Sequence, residues 1–212
     1  AELIRKCAER GAAAIALDIL LAEPDRSSPN NMRSALLREA GLDVEVSGLP
    51  PLYEDYDLLL AEEIRGLPVV LGMYARFGAP ERPAEAPPLP RPVGNVEREA
   101  AGDLPIRSHT HRAEDATVPL PVLQQAAPCG LINMSPDSDG FVRQVPLITF
   151  VDGKTYMNLG LRALMVATGK SSIMTRSGPD GLSSIRVGQF EIPVSPQGNF
   201  TIPFTGPRGE YP

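Results

Sequence analysis

The chain has 212 residues, a mass of 22.7 kDa and a net charge of −6 with a pI near 5.0, which is one domain's length and enough to bury a core without staples. Charged residues make 22% and apolar residues 42% of it, and Pro plus Gly about a fifth, which excludes a disordered chain and, with no basic surplus, a nucleic-acid partner. No run of about 18 apolar residues occurs, so nothing in these residues reads as a membrane span.

Leu3, Ile4, Cys7 and Ala8 recur at helical spacing with charges opposite, and Gly11 is a natural stop. Residues 12–21 then form an apolar run interrupted by Asp18. The run predicts a strand over 13–20, buried on both faces as in a helix-covered parallel sheet. Helix, glycine and buried strand make the second half of an α/β unit, and the strand expected before the helix is not in this sequence. The abrupt opening at Ala1 without Met, and the stop at Tyr211-Pro212, predict a piece of a longer polypeptide.

Glu23-Pro24-Asp25-Arg26 through Asn30 reads as a polar loop, and 32–40 as a short helix ended by Gly41. Asp57 is positioned to cap a helix over 58–64, closed by Gly66, and 68–73 predict a second buried strand. Residues 76–118 break this rhythm. Six prolines fall between Pro80 and Pro92, which predicts a long surface excursion of extended character with little ladder or helix.

A helix is expected over 120–127 with Pro119 near its start, and a third apolar strand over 130–134. Residues 135–140 form a turn, and 142–150 alternate as a strand closing a hairpin across it. Asp152-Gly153 is a further turn, and 158–168 predict a helix ending before Gly169. Gly178-Pro-Asp-Gly181 is a turn, Gly188-Gln189 joins short strands over 185–187 and 190–192, and 200–204 alternate again. The fold class is therefore α/β. It is a mixed sheet with a parallel β/α N-terminal part, an antiparallel strand-rich C-terminal part, and helices on the faces.

Asp18 is the sharpest chemical signal, because a lone carboxylate in a buried run costs several kcal/mol unless paired or placed at a strand end. In open α/β sheets ligands collect at the carboxyl ends of strands, so Asp18, Asp25, Asn133 and Arg143 are the candidate ligand-binding residues. A structural carboxylate at Asp18 and a surface ion pair at Arg143 are the competing readings. Asp137-x-Asp139-Gly140 lacks the first and twelfth ligands of a calcium loop, since Ser135 and Pro146 stand there. His109-x-His111 offers only two imidazoles, Cys7 and Cys129 make no disulfide framework, and neither Gly-x-Ser-x-Gly nor a Gly-rich phosphate loop occurs. No cofactor is expected.

The order of several segments resembles the type-two CHASE domain. The first is Arg10-Gly11-Ala12-Ala13-Ala14-Ile15-Ala16-Leu17-Asp18 followed by Glu23-Pro24-Asp25-Arg26. The second is Asp57-x-x-Leu60-Ala61 followed by Pro68-Val69-Val70-Leu71-Gly72. The most specific is Gly130-Leu131-Ile132-Asn133 followed by Asp137-x-Asp139-Gly140-x-Val142-Arg143-x-Val145-Pro146-Leu147. A helix with Leu159, Leu161 and Leu164, and a closing Phe200-Thr201-Ile202-Pro203-Phe204-x-Gly206, complete it. The family often carries aromatics beside the first Asp, where this chain has Leu17 and Leu20, and the Pro-rich excursion is long for it. The resemblance implies a non-catalytic extracytoplasmic sensor of a bacterial membrane receptor that answers an undefined small-molecule or environmental signal. It also implies a cytoplasmic output, a nucleotide cyclase first, and allows pairing of two copies. A hydrolase-like enzyme domain, or a ligand-free structural or dimerisation module, are the alternatives.

Overall fold

The computed structural model describes residues 1–80, 82, 85–98, 103, 105–203 and 206. The first helix, α1 (Glu2–Glu9), carries Glu2–Lys6 and Arg5–Glu9 pairs at i,i+4 spacing, each worth a few tenths of a kcal/mol on an exposed helix. Gly11, at φ +85°, turns the chain into β1 (Ile15–Leu20). A polar loop leads to α2 (Pro29–Ala40), which begins on proline and ends on left-handed Gly41. A 3-10 turn (Pro51–Glu54) precedes α3 (Tyr56–Ile64) and β2 (Val69–Arg76).

The Pro-rich region holds more structure than its composition predicts. It contains β3 (Gly94–Arg98), a 3-10 turn (Ile106–Ser108), β4 (His111–Ala113) and β5 (Asp115–Thr117). Ile106 and Asp115 are fully buried. The prolines stop at Pro105, and the residues beyond them find ladder partners far away in sequence. Next come α4 (Pro121–Ala126), with Pro121 rather than Pro119 in its first turn, and β6 (Cys129–Leu131). The C-terminal part adds β7 (Gln144–Pro146), β8 (Ile148–Val151), β9 (Lys154–Met157) and α5 (Leu159–Ala167). It ends with β10 (Ser172–Gly178), β11 (Gly181–Val187), β12 (Phe190–Pro193) and β13 (Asn199–Thr201). Phe204, the last residue of the expected closing strand, lies outside the described residues.

The protein is mixed α/β. In the N-terminal sheet β1, β2 and β6 run parallel and β5 pairs antiparallel with β2. The largest C-terminal sheet has the order β12-β11-β10-β3, antiparallel except that β3 joins β10 in parallel. The turn at 137–140 does not join a hairpin, because β6 pairs with β2 while β7 pairs with β13. The hairpin in this region is β8–β9, closed by Asp152 (φ 49°) and Gly153 (φ 70°), a primed turn that suits strand twist.

Two apolar clusters form the core. Ile64, Leu71, Met73, Leu123 and Tyr156 centre the first, and Ile148, Met157, Leu161, Met165 and Ile185 the second. Gly130 lets α5 lie close to the parallel sheet, since a Cβ there would stand 2.8 Å from Leu159 Cα. β2 is buried along its first five residues, as a central strand should be. β1 is not. Asp18, Ile19 and Leu20 are exposed, Ile19 by 51%, because β1 has one strand partner among the described residues, β2. The expectation of a strand buried on both faces is corrected here. An aliphatic run sets what a strand could bury, but its place in the sheet sets what it does bury.

Candidate functional site

Of the residues singled out in the sequence, Asp18 lies near the carboxyl end of β1 and Asn133 just beyond that of β6. Asp18 sits in an irregularity of β1, where the register with β2 jumps from Leu17↔Leu71 to Leu20↔Gly72. The bulge frees Asp18 from the ladder and leaves its carboxylate at the surface, so the cost of burying it does not arise. The notion of a buried lone acid at this position is therefore corrected, while its place near the end of β1 stands.

Asp25 lies in the loop between β1 and α2. Its Oδ1 accepts from the backbone N–H of Ser27 at 2.8 Å and the Ser27 hydroxyl at 2.6 Å, and these two bonds hold its carboxyl below the ordinary carboxylate range. Its own N–H donates to Asp57 Oδ2 at 2.8 Å. Burial pushes Asp57 up, against that bond and with the help of neighbouring Asp55 and Asp25. Fully buried Ser28 accepts from the N–H of Tyr56 at 3.0 Å, so the loop is stitched twice to the start of α3. The cap of α3 is Asp55, not Asp57: Asp55 Oδ1 accepts from the N–H groups of Asp57 and Leu58.

Asn133 and Arg143 are engaged by the protein itself. The buried Asn133 amide accepts from Ala75 N–H at 2.7 Å and donates to Ala75 C=O at 2.9 Å. Arg143 donates to Asp137 at 2.9 Å and to both oxygens of Asp139 at 2.8 and 2.7 Å, and its guanidinium lies over the Phe141 ring. The Arg143 bonds hold Asp139 below its ordinary value. Among the described residues, no hydrogen bond or ion pair joins any two of Asp18, Asp25, Asn133 and Arg143. The four do not form one cluster.

A charged cleft that the sequence reading missed opens beside the end of β2. Asp115, fully buried, is ion-paired to Arg76, the last residue of β2, and to Arg82, and Arg82 also donates to Ala116 C=O at 3.1 Å. Burial raises the Asp115 carboxyl, but its bonds from Arg76, the Ala116 N–H and Arg82 outweigh that and hold it below the usual range. Arg82 then lines a cleft of about 630 Å³ together with Arg112, Glu114, Phe150 and Asp152. The guanidinium of Arg107 stands 5.4 Å from the centroid of Phe150. Charges of both signs over an aromatic wall suit a small polar molecule, and the volume is that of an ordinary ligand site. The available signal was an acid in the run Asp115-Ala116-Thr117-Val118 facing an arginine at a strand end. It was hidden by assigning 76–118 to one excursion.

His111 lies on β4 with Nε2 2.7 Å from Asn199 Oδ1, rather than in an open loop. Among the described residues no group of three His, Cys, Asp or Glu is placed to hold a metal, and no helix is long and apolar enough to cross a membrane. Cys7 and Cys129 are both free thiols.

The family model of the CHASE2 domain matches residues 1–212, the whole chain, and the chain belongs to that family, whose members are extracellular sensory domains. No curated protein and no solved structure matches it.

Proposed function

We propose that this chain is the non-catalytic, extracellular or periplasmic sensor of a bacterial transmembrane receptor, anchored through the parent protein and driving a cytoplasmic nucleotide cyclase. The observation that carries this reading is the CHASE2 match over all of residues 1–212. The reading puts the signal molecule at the carboxyl ends of the parallel strands, with Asp18 as an open carboxylate, Asp25 offering its remaining carboxylate oxygen, and Asn133 and Arg143 setting the loops around them. A ligand there shifts the receptor between two states by its differential affinity for them. Pairing of two copies belongs to the same reading, supported by aliphatic side chains left exposed on β1 and α2, among them Ile19, Leu20, Met32 and Leu37.

The test is made in the full-length receptor. A reporter fused beside the domain should be active only on the outer side of the inner membrane. Cyclic-nucleotide output should respond to the stimulus in the wild type, and Asp18→Ala should lose that response while the domain stays folded. A cytosolic reporter sinks the receptor reading, and an unaltered response removes Asp18 from the site.

A further inference from the structure

A second cleft, of about 540 Å³, lies where α5 meets the start of β3 and of β10, lined by Arg91, Val93, Gly94, Arg162, Ser171 and Ser172. Arg162, on α5, forms part of its wall. The Nε of Arg162 is enclosed with no hydrogen-bond partner, and the contact made by its Nη1 is a weak one, to Met165 Sδ at 3.8 Å. No carboxylate among the described residues pairs with it. The group that acts on its charge is Cys129, whose thiol burial pushes up to about 12, so it supplies no negative charge at neutral pH. Burial also disfavours the charged form of Arg162, yet a guanidinium stays protonated in proteins. A partly desolvated cation without a counter-charge is costly, and buried charges are as a rule paired.

The remaining walls supply donors and no acids. Arg91 stands at the exposed rim and forms no ion pair with a described residue. The Ser171 and Ser172 hydroxyls make no hydrogen bond to described residues, and Ser172 is held opposite Gly94 by the β10–β3 register. We propose that this cleft binds a small molecule through an oxyanion, with Arg162 as the enclosed fork, Arg91 closing over it from the rim, and the two serine hydroxyls as further donors. Carboxylate and phosphate share the pair of oxygens that a guanidinium grips bidentately. The proposal is independent of the receptor reading, since it concerns binding to this chain alone.

The test uses the 212-residue chain with inorganic phosphate and succinate as separate probes, against sodium chloride at matched ionic strength. One or both probes should raise the melting temperature saturably and bind with one-to-one stoichiometry by calorimetry. Arg162→Gln and Arg91→Ala should each weaken that binding about tenfold or more, the size of one lost charge-assisted bond. Arg91 is exposed, so its variant keeps the test decisive should Arg162→Gln fold poorly. A response to phosphate alone assigns the ligand to phosphate esters, and a response to succinate alone to organic acids. A melting temperature that neither probe moves beyond the chloride control overturns the proposal, as does Arg91→Ala binding as tightly as the wild type.

Discussion

Asn133 holds Ala75 by both of its backbone polar atoms, accepting from its N–H at 2.7 Å and donating to its C=O at 2.9 Å. The β2–β6 ladder runs through Met73↔Leu131, and Ile132 N–H still reaches Met73 C=O at 2.9 Å. One residue on, the side chain of Asn133 supplies the rung that the backbone of a departing strand no longer can. Asn133→Ala strips both groups of Ala75 of their partner in a buried setting. Leaving such groups unsatisfied costs about 1–3 kcal/mol each, so a total loss of roughly 2–6 kcal/mol is expected, a fall of about 4–24 °C in melting temperature for a chain of this size. Urea unfolding of the variant measures it. A loss below about 0.5 kcal/mol would mean that water enters and replaces the amide.

Asp115 ties the end of β2 to Arg82, and its carboxyl is held below the ordinary value by those arginines despite its burial. A lowered folded-state value means that the stability it lends is complete above the unfolded value of about 3.9, and drains as pH falls through the folded value. Asp115→Asn should cost about 3 kcal/mol at neutral pH, mainly because Arg82, whose side chain is 16% exposed, loses its counter-charge. Arg76 is half exposed, and water offsets its share. The gap between variant and wild type should close as pH falls from about 5 to about 2. A gap that persists unchanged at the acid end would show that packing, and not charge, is what Asp115 provides.

What was legible in the sequence was local. Helices α1, α2 and α5 carry their own period and stop signals at Gly11, Gly41 and Gly169, and the β11–β12 hairpin carries its turn at Gly188-Gln189. What was not legible depends on distant partners. β3 is a strand because β10, some eighty residues later, lies beside it, and three-residue strands such as β4 and β5 are too short to show a period. The candidate site divides in the same way. The sequence shows that Asp18 interrupts an apolar run, but exposure of β1 follows from its having one strand neighbour. Likewise Asp55 and Asp57 are equally good caps by type, and only the path of the chain decides that Asp55 reaches the free N–H groups while Asp57 turns to Asp25. Asp115 carries only the faint local mark of an acid beside Ala116-Thr117-Val118, since its meaning lies in Arg76 and Arg82.

The two thiols should differ sharply in reactivity. Burial pushes Cys129 up to about 12 and leaves it 8% exposed, so at mildly alkaline pH it is neither ionised nor accessible. Cys7 is half-buried on the exposed first helix. Iodoacetamide at about pH 8 should add one label to the folded chain, at the more accessible Cys7, and a second only in denaturant. Peptide mass spectrometry separates the two. Rapid double labelling without denaturant would show that α5 and β6 part readily.

Gly72 faces the bulge that displays Asp18. A Cβ at this position would stand 2.8 Å from the Ile19 carbonyl oxygen and 2.9 Å from that of Leu17, and 3.1 Å from the Ile132 side chain. Both oxygens belong to the backbone of β1, so the clash cannot be relieved by turning a side chain. The strand itself has to move. Gly72→Ala is therefore expected to cost about 1–3 kcal/mol, the range for forcing extra volume into a packed site, and to displace Asp18 with its bulge. Gly94→Ala is the control, since its Cβ meets Ser172 Cβ at an ordinary 3.6 Å, and should change stability by less than about 0.5 kcal/mol. Chemical denaturation of the two variants, with amide exchange across 15–20 as a local probe, decides whether the close approach of β2 is what shapes the bulge. Equal stability and unchanged protection in Gly72→Ala would mean that β1 gives way freely, and that the Asp18 bulge is not held by its neighbour.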